Sequence, residues 1–327
     1  MNAPKPRVTF RVSRPMSPGM PRSLPHPRLP LFLAALLLAS LALPSRAAPG
    51  PASGPAPAPA PGAPAYDLPA DREARIREAR ASLGPRTEAS TVSDVFVLLG
   101  AGEWRGPAFQ RSVSLVQSAM DAFLNGRFAK KPDHAISVYL FANAASYEAF
   151  CKSTYGAPCI AHYGFYEPGK RFMVMNAGLG LGTLTHELVH PLVEADFPGA
   201  PTWLNEGIAS VFEAPVIPKA GEIHGAKNWR HPRLLRALDG PEKATTRLET
   251  LFAMSDTTFR GDGEDLHYAM ARYTCQWLDQ RGRLWAFYQR WRDDAANDPT
   301  GEKAFAHVTG QTPGEATGAW SKWVRAL

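Results

Sequence analysis

Short apolar runs alternate with helix-spaced apolar positions through the first half of the chain. Ser93–Leu99 and Ala135–Phe141 are rich in β-branched and aromatic residues, which predicts strands. Between them, Pro107–Asn125 repeats apolar residues at helical spacing and is followed by Gly126, a common helix stop. Short helices are expected over Asp71–Ser82 and Ala144–Ser153. These patterns predict a region of mixed strands and helices.

Two further strands are expected around the turn Glu167-Pro168-Gly169. Gly164–Tyr166 and Arg171–Asn176 predict a hairpin or two edge strands. We expect Arg171–Asn176 to be an edge strand, where the backbone of a bound peptide could add to the sheet.

Beyond residue 182 the pattern is helical. Thr183–Ala195 is expected to kink or shorten at Pro191, just past His190. Thr312-Pro313 is a good start for the last helix, a cap followed by proline at the first position. Strands mixed with helices, followed by helices alone, predict an α+β fold. The helices expected here are Thr183–Ala195, Thr202–Ala214, Pro232–Leu238, Leu248–Ser255, Asp262–Arg281, Arg283–Asp293, Lys303–Val308 and Gly314–Leu327.

The N-terminus has the pattern of an export signal. Residues 1–47 hold seven basic side chains and no acidic one, and they include the 13-residue apolar run Leu31–Leu43 before the small residues of Ser45-Arg46-Ala47. The run is shorter than the roughly 20 residues of a membrane-spanning helix, so no permanent membrane span is expected after signal removal. The predicted location is periplasmic or secreted, in a bacterium.

The charge of the remaining chain argues against nucleic-acid binding. The net charge of +6 depends on the N-terminal residues, since the rest has 29 basic and 30 acidic side chains. Residues 48–66 form a Pro/Ala/Gly-rich tract that predicts a disordered linker. A single domain is expected over residues 67–327, mixed to about 198 and helical from about 199.

Three cysteines follow the N-terminal region. In an oxidising compartment two should pair. Cys151 with Cys159 is the simplest disulfide, and Cys159 with Cys275 is an alternative that the sequence leaves open.

A metal-binding motif lies at the start of the helical region. Thr185–His190 contains HExxH, and residues four apart share one face of a helix, so His186 and His190 can bind one cation. Glu187 can reach water at that cation and act as the general base. HExxH alone is only moderately specific for a metal site, because an amphipathic helix with two surface histidines can have the same sequence.

A third ligand is available in the next helix. The turn Phe197–Pro201 lets Thr202–Ala214 fold back and present Glu206 to the same ion. Three protein ligands with one open position are typical of catalytic zinc sites.

HELVH followed by WLNEGIA resembles the gluzincin clan of zinc metallopeptidases. The short spacing of these motifs and the preceding segment GFY…RFMVMN are most similar to the bacterial peptidase MA-like group, and the match is specific over about Gly164–Val211. The resemblance implies one Zn²⁺ ligated by His186, His190 and Glu206, with Glu187 as base, in a zincin-like fold. In that fold a small mixed sheet packs on the metal-binding helix, and a helical C-terminal lobe follows.

The sequence departs from the related zinc aminopeptidases. Its gap between His190 and Glu206 is shorter, and it lacks their Gly-x-Met-Glu-Asn segment. Gluzincins commonly stabilise the oxyanion with a Tyr or His from a later helix, and Tyr268 is the first candidate here; the alternative is a packing residue. Glu194, Asp196 and Glu213 are open candidates for the acceptor behind a ligand histidine.

These features predict an exported zinc peptidase of the endopeptidase type, with a peptide or protein as its substrate. Two alternatives remain open, a non-catalytic binding module on the same fold and a zinc amidase acting on cell-wall peptide. The glycine run Gly178–Gly182 has the spacing GxGxG rather than GxGxxG, which disfavours nucleotide binding.

Overall fold

A five-stranded mixed sheet forms the first half of the fold. The computed structural model describes residues 65–327, so the predicted signal peptide and nearly all of the predicted linker lie outside the described residues. The strands are β1 (Glu88–Val92), β2 (Phe96–Gly100), β3 (Ile136–Phe141), β4 (Gly164–Glu167) and β5 (Phe172–Asn176). Their order across the sheet is β1-β2-β3-β5-β4. The three central strands are parallel, and both outer strands are antiparallel to their neighbours.

Thirteen α-helices accompany these strands in the described residues. They are α1 (Leu68–Leu83), α2 (Pro107–Phe123), α3 (Ala144–Tyr155), α4 (Gly182–Glu187), α5 (Val189–Asp196), α6 (Thr202–Val211), α7 (His231–Asp239), α8 (Leu248–Phe252), α9 (Asp256–Phe259), α10 (Glu264–Asp279), α11 (Leu284–Asp294), α12 (Glu302–Thr309) and α13 (Pro313–Ala326). A small hairpin, β6 (Pro215–Val216) with β7 (His224–Gly225), follows α6. The mixed α+β class is therefore confirmed. No helix in this range is long and apolar enough to cross a membrane.

Both faces of the sheet are covered by helices. Successive residues of a strand point to opposite faces. Phe96 and Leu98 accordingly join the main core with α2 and the C-terminal helices, whereas Val97 and Leu99 pack with Ala79 of α1 on the other face. This explains why β2 is apolar at every position.

The predicted strand Ser93–Leu99 is wrong at its start. Ser93 and Asp94 have φ values of 51° and 65° and form the turn between β1 and β2. The strand Glu88–Val92 was not predicted, because its polar residues give no apolar run.

The predicted edge strand Arg171–Asn176 is also corrected. β5 pairs with β3 on one side and with β4 on the other, so β4 is the edge of the sheet. The predicted hairpin of the two segments is confirmed. Local patterns identify such strands, but strand order depends on a crossover that they do not encode.

The helical half is organised around α6 and α10, which lie against each other. A Cβ on Gly207 of α6 would lie 2.9 Å from the Ala271 carbonyl oxygen of α10, so only glycine allows this approach. At the C-terminus, Thr312 and Glu315 form a capping box, which confirms the predicted start of α13. Cys151 and Cys159 form a disulfide with a Cα–Cα distance of 5.2 Å, and Cys275 is free and buried.

Candidate metal centre

The two histidines of the motif lie on adjoining helices, His186 in α4 and His190 in α5. Their ring centroids are 4.9 Å apart. The interruption between the helices falls at Leu188, before His190 rather than after it as predicted. Pro191 explains the shift, because it has no N–H to donate to the Glu187 carbonyl four residues earlier. The chain nevertheless continues in the same direction, since Leu188 keeps helical dihedral angles.

Helix α6 brings the third predicted ligand to these histidines. Glu206 Oε2 lies 3.4 Å from His186 Nε2 and 4.0 Å from His190 Nε2. One donor atom from each of the three residues falls within 4.8 Å of the others. His186 and Glu206 are buried, and His190 is nearly so. The three residues therefore form a group that can hold a metal ion.

The remaining ring nitrogens fix the orientation of both imidazoles. His186 Nδ1 lies 3.2 Å from Glu213 Oε1, and His190 Nδ1 lies 2.9 Å from Asn205 Oδ1. Both partners are acceptors and suit a proton on each Nδ1, which would leave each Nε2 to present its lone pair to a cation once that cation has displaced any proton from it. This tautomer is the one that a metal ion requires of its histidine ligands. The donor set thus fits a divalent cation.

Glu213 is the acidic partner among the three candidates that the sequence left open. The other two are used elsewhere. Glu194 is exposed and accepts a hydrogen bond from the Tyr166 hydroxyl at 3.2 Å, and Asp196 pairs with Arg292 at 2.8 Å. The amide of Asn205 was not predicted, although it directly precedes the ligand Glu206 and could have been considered for that reason.

A close backbone approach brings Glu213 to the metal-binding helices. A Cβ on Gly182 would lie 2.1 Å from the Glu213 carbonyl oxygen. Nearby, the Thr185 hydroxyl donates to the Phe212 carbonyl at 2.6 Å. Gly182, the last residue of the GxGxG run, therefore allows α4 to pack against the chain just after α6.

Glu213 is itself held by two polar side chains. Arg230 donates to its Oε1 at 3.0 Å, and the Asn228 amide donates to Oε2 at 2.9 Å. Burial alone would raise the pKa of Glu213, but the interactions with His186 and Arg230 outweigh burial and lower it. The carboxylate behind His186 is therefore charged.

Glu187 faces the same group from the end of α4. Its Oε2 lies 3.8 Å from His190 Nε2. Burial raises the pKa of Glu187, the two imidazoles oppose that rise, the Glu206 carboxylate adds to it, and the backbone N–H of Tyr166 in β4 opposes it. The net result is a raised pKa, a property expected of a group that exchanges protons near neutral pH.

Arg260 and Tyr268 lie on the outer side of Glu206. Arg260 donates to Glu206 Oε1 at 2.8 Å and to the Tyr268 hydroxyl at 3.1 Å. Burial, and then the Glu206 carboxylate, raise the pKa of Tyr268, so its hydroxyl stays protonated and able to donate. Arg260 thus links Tyr268 to the ligand Glu206, and the oxyanion role expected of Tyr268 stays a prediction. Arg260, in the turn after the short helix α9, was not predicted.

The metal group binds a proton strongly when no cation is present. Burial would lower the pKa of His186, but the carboxylates of Glu206 and Glu213, which accept from its ring, outweigh burial and raise the pKa to about 10. The pKa of Glu206 is lowered despite its burial, chiefly by His186. A metal ion and this proton compete for the same nitrogen.

Comparisons with known proteins do not assign the chain to a family. The chain matches no family model and no curated protein at a significant level. The interpretation of the site therefore depends on its own residues and geometry.

Proposed function

We propose that the protein is a zinc-dependent peptidase of the gluzincin type, with a zincin-like fold. The observation that carries the proposal is the convergence of His186, His190 and Glu206 with a second buried carboxylate, Glu187, beside them. Closed structural zinc sites use four protein ligands, usually with cysteine, whereas catalytic sites use three and add a base. The arrangement matches the second pattern.

Zinc is the cation that the donor set favours. Two imidazoles and one carboxylate are a ligand set of catalytic zinc sites, whereas magnesium and calcium prefer oxygen ligands. Held there, zinc would act as a Lewis acid that polarises the scissile carbonyl and makes the attacking water more acidic.

Three side chains would carry the proton transfers and the developing charge. Glu187, buried with its Oε2 3.8 Å from His190 Nε2, would accept a proton from the attacking water and pass it to the leaving amine. The Tyr268 hydroxyl donates a hydrogen bond to the developing oxyanion. Arg260 donates to Tyr268 and thereby orients its hydroxyl.

The free edge of β4 would hold the peptide backbone. Within residues 65–327, β4 pairs only with β5, and the N–H of its Tyr166 lies toward Glu187, so the side of β4 left unpaired in this range would face the proposed catalytic base. An extended peptide added to this edge would have its backbone beside the metal group. The proposed peptide-binding edge is therefore β4, whereas the sequence predicted β5.

The proposed location is the periplasm or the extracellular space. The N-terminal pattern of basic residues, apolar run and small residues is that of an export signal. A disulfide such as Cys151–Cys159 persists in oxidising compartments.

The test is metal analysis of the purified protein coupled to cleavage of a mixed peptide library. We expect about one zinc per chain and cleavage that a chelator abolishes and zinc restores. The variant Glu187→Gln should keep the zinc and lose turnover by at least about 10³-fold, because it removes the base and leaves the three ligands intact. Glu194→Ala, which changes an exposed carboxylate of α5, is the matched control and should retain activity.

Other results would point to the alternatives. Zinc binding without any cleavage, unchanged by Glu187→Gln, would favour a non-catalytic binding module. Cleavage restricted to cell-wall peptide would favour the amidase. Failure to bind zinc at all would remove the basis of the proposal.

A further inference from the structure

One tryptophan differs from all the others in the chain. Trp229 is 72% exposed, whereas the other seven tryptophans are buried or half-buried. A single exposed apolar side chain is common on protein surfaces and needs no explanation by itself. Its surroundings are what make Trp229 informative.

The loop that carries Trp229 is fixed on both sides of the indole. Before it, Asn228 donates to Glu213 at 2.9 Å and receives a hydrogen bond on its Oδ1 from the Arg230 N–H at 3.0 Å. The Asn228 N–H donates in turn to the Tyr273 hydroxyl at 3.3 Å. Trp229 is therefore held out to solvent by a well-bonded loop.

The indole also stacks on a charged group that belongs to the metal centre. The Arg230 guanidinium carbon lies 4.2 Å from the Trp229 ring centroid and 5.1 Å from that of Tyr268. The same guanidinium pairs with Glu213, the carboxylate behind His186. We call Trp229, Arg230 and Tyr268 the aromatic shelf.

The aromatic shelf is continuous with the metal group at its other end. Tyr268 accepts a hydrogen bond from Arg260, which binds Glu206. A substrate whose scissile carbonyl lies beside the Tyr268 hydroxyl would thus have a neighbouring side chain within reach of Trp229.

We infer that Trp229 forms a specificity subsite for a large apolar or aromatic side chain of the peptide substrate. An indole offers a large rigid surface that such a side chain can cover at little entropic cost. Because a guanidinium already stacks on the indole, a lysine or arginine side chain of the substrate would be repelled by a like charge. The inference depends on the proposed peptidase function and adds the substrate class to it.

The first test measures binding without turnover. Zinc-loaded Glu187→Gln protein carrying ¹⁵N-labelled tryptophan is titrated with blocked tetrapeptides that differ only in one central residue: Phe, Leu, Ala or Lys. The indole resonance of Trp229, identified by its loss in Trp229→Phe, should shift with the Phe and Leu peptides. Trp229→Ala in the same background should weaken their binding about tenfold and leave the Ala peptide within about twofold.

The second test measures cleavage preference in the otherwise unchanged protein. Trp229→Ala should lose the preference for Phe and Leu over Ala, and Trp229→Phe should keep most of it. Tyr66→Ala, an exposed aromatic at the start of the described chain, is the matched control and should leave the preference unchanged.

The outcomes separate the two proposals. Zinc-dependent cleavage whose side-chain preference is the same in wild type and Trp229→Ala would overturn the subsite and leave the peptidase function standing. A preference for basic residues would also overturn it. A protein that neither binds zinc nor cleaves any peptide would overturn the peptidase function, and the subsite with it.

Discussion

The two imidazoles of the metal group are supported by different kinds of partner. Behind His186 lies Glu213, a charged carboxylate. Behind His190 lies Asn205, a neutral and half-buried amide. A carboxylate makes an imidazole a stronger ligand than an amide does. We therefore expect the His186 side to contribute more to metal affinity than the His190 side.

The supports also differ in where they come from along the chain. Asn205 precedes the ligand Glu206 on the same helix, so its position follows from local structure. Glu213 lies past the end of α6 and depends on Arg230 and Asn228 from a later loop. Metal binding at His186 is thus coupled to tertiary structure, whereas the support of His190 is local.

The largest expected effect comes from removing the charged support. Glu213→Ala should weaken zinc binding about 100-fold, measured by competition with a chelator, because His186 loses its acceptor. It should also lower the free energy of unfolding of the metal-free protein by about 3 kcal/mol, because Arg230 is left buried without its carboxylate.

Two variants control for this change. Glu213→Gln keeps an acceptor for His186 and should lose less affinity. Glu194→Ala removes the exposed carboxylate of α5 and should change neither quantity. Equal losses for Glu213→Ala and Glu194→Ala would contradict a special role for Glu213.

Removing the neutral support should have a smaller effect. Asn205→Ala should weaken zinc binding about tenfold and lower the free energy of unfolding by only about 1 kcal/mol, since one hydrogen bond of a half-buried side chain is lost. Asn205→Asp keeps an acceptor and makes it a carboxylate, so it should bind zinc at least as tightly as the wild type. If Asn205→Ala lost as much affinity as Glu213→Ala, the proposed asymmetry would be wrong.

Removing Arg260, which binds the carboxylate ligand Glu206, should affect zinc binding less still. Arg260 is 54% exposed and binds the Glu206 oxygen that faces away from the histidines. Exposed ion pairs contribute little, so Arg260→Met should change zinc affinity less than about fivefold. Peptide turnover should fall further than affinity, because Tyr268 loses its orienting donor. Arg260→Lys keeps the charge, and a large loss of zinc in that variant would count against this account.

The smallest expected effect concerns His224, which lies between two carboxylates. His224 lies 3.1 Å from Asp279 and 3.0 Å from Glu222, one on each ring nitrogen. Burial would lower the pKa of His224, but these carboxylates outweigh it and raise it. Such an arrangement binds a proton rather than a metal ion.

This raised pKa gives a pH dependence with a definite sign. The stabilisation is fully present below the unfolded-state pKa of about 6.5 and is lost as the pH rises through the higher folded-state pKa. The stability difference between metal-free wild type and His224→Gln, measured by urea unfolding, should therefore shrink from pH 6 to pH 9. His307→Gln, at an exposed position of α12, is the control, and a difference that grew with pH would refute the assignment.

Sequence patterns predicted the parts of the site that are local. HExxH fixes two histidines and Glu187 on neighbouring turns, and the Pro/Gly turn after α5 indicated that Glu206 could fold back. The same reasoning identified most helices, because their apolar spacing reflects one buried face. Tyr268 was suggested by the resemblance to gluzincins and not by a local pattern.

The parts that depend on distant contacts could not be predicted. Arg260 lies in a turn between two helices, where no periodic pattern indicates its direction. Glu213 could be proposed as one of three acids but not selected, since its position depends on the close approach at Gly182. Strand order failed for the same reason, because the pairing of β5 with β3 crosses a helix and a loop.

The burial of Cys275 has a consequence for how the disulfide survives. Burial raises the pKa of this thiol, so it does not form the thiolate needed to attack the Cys151–Cys159 bond. Shuffling of the native pairing therefore requires α10 to separate from α6, next to Gly207. The rate at which an alkylating reagent modifies Cys275 would report the opening of the two helices that carry Glu206 and Tyr268.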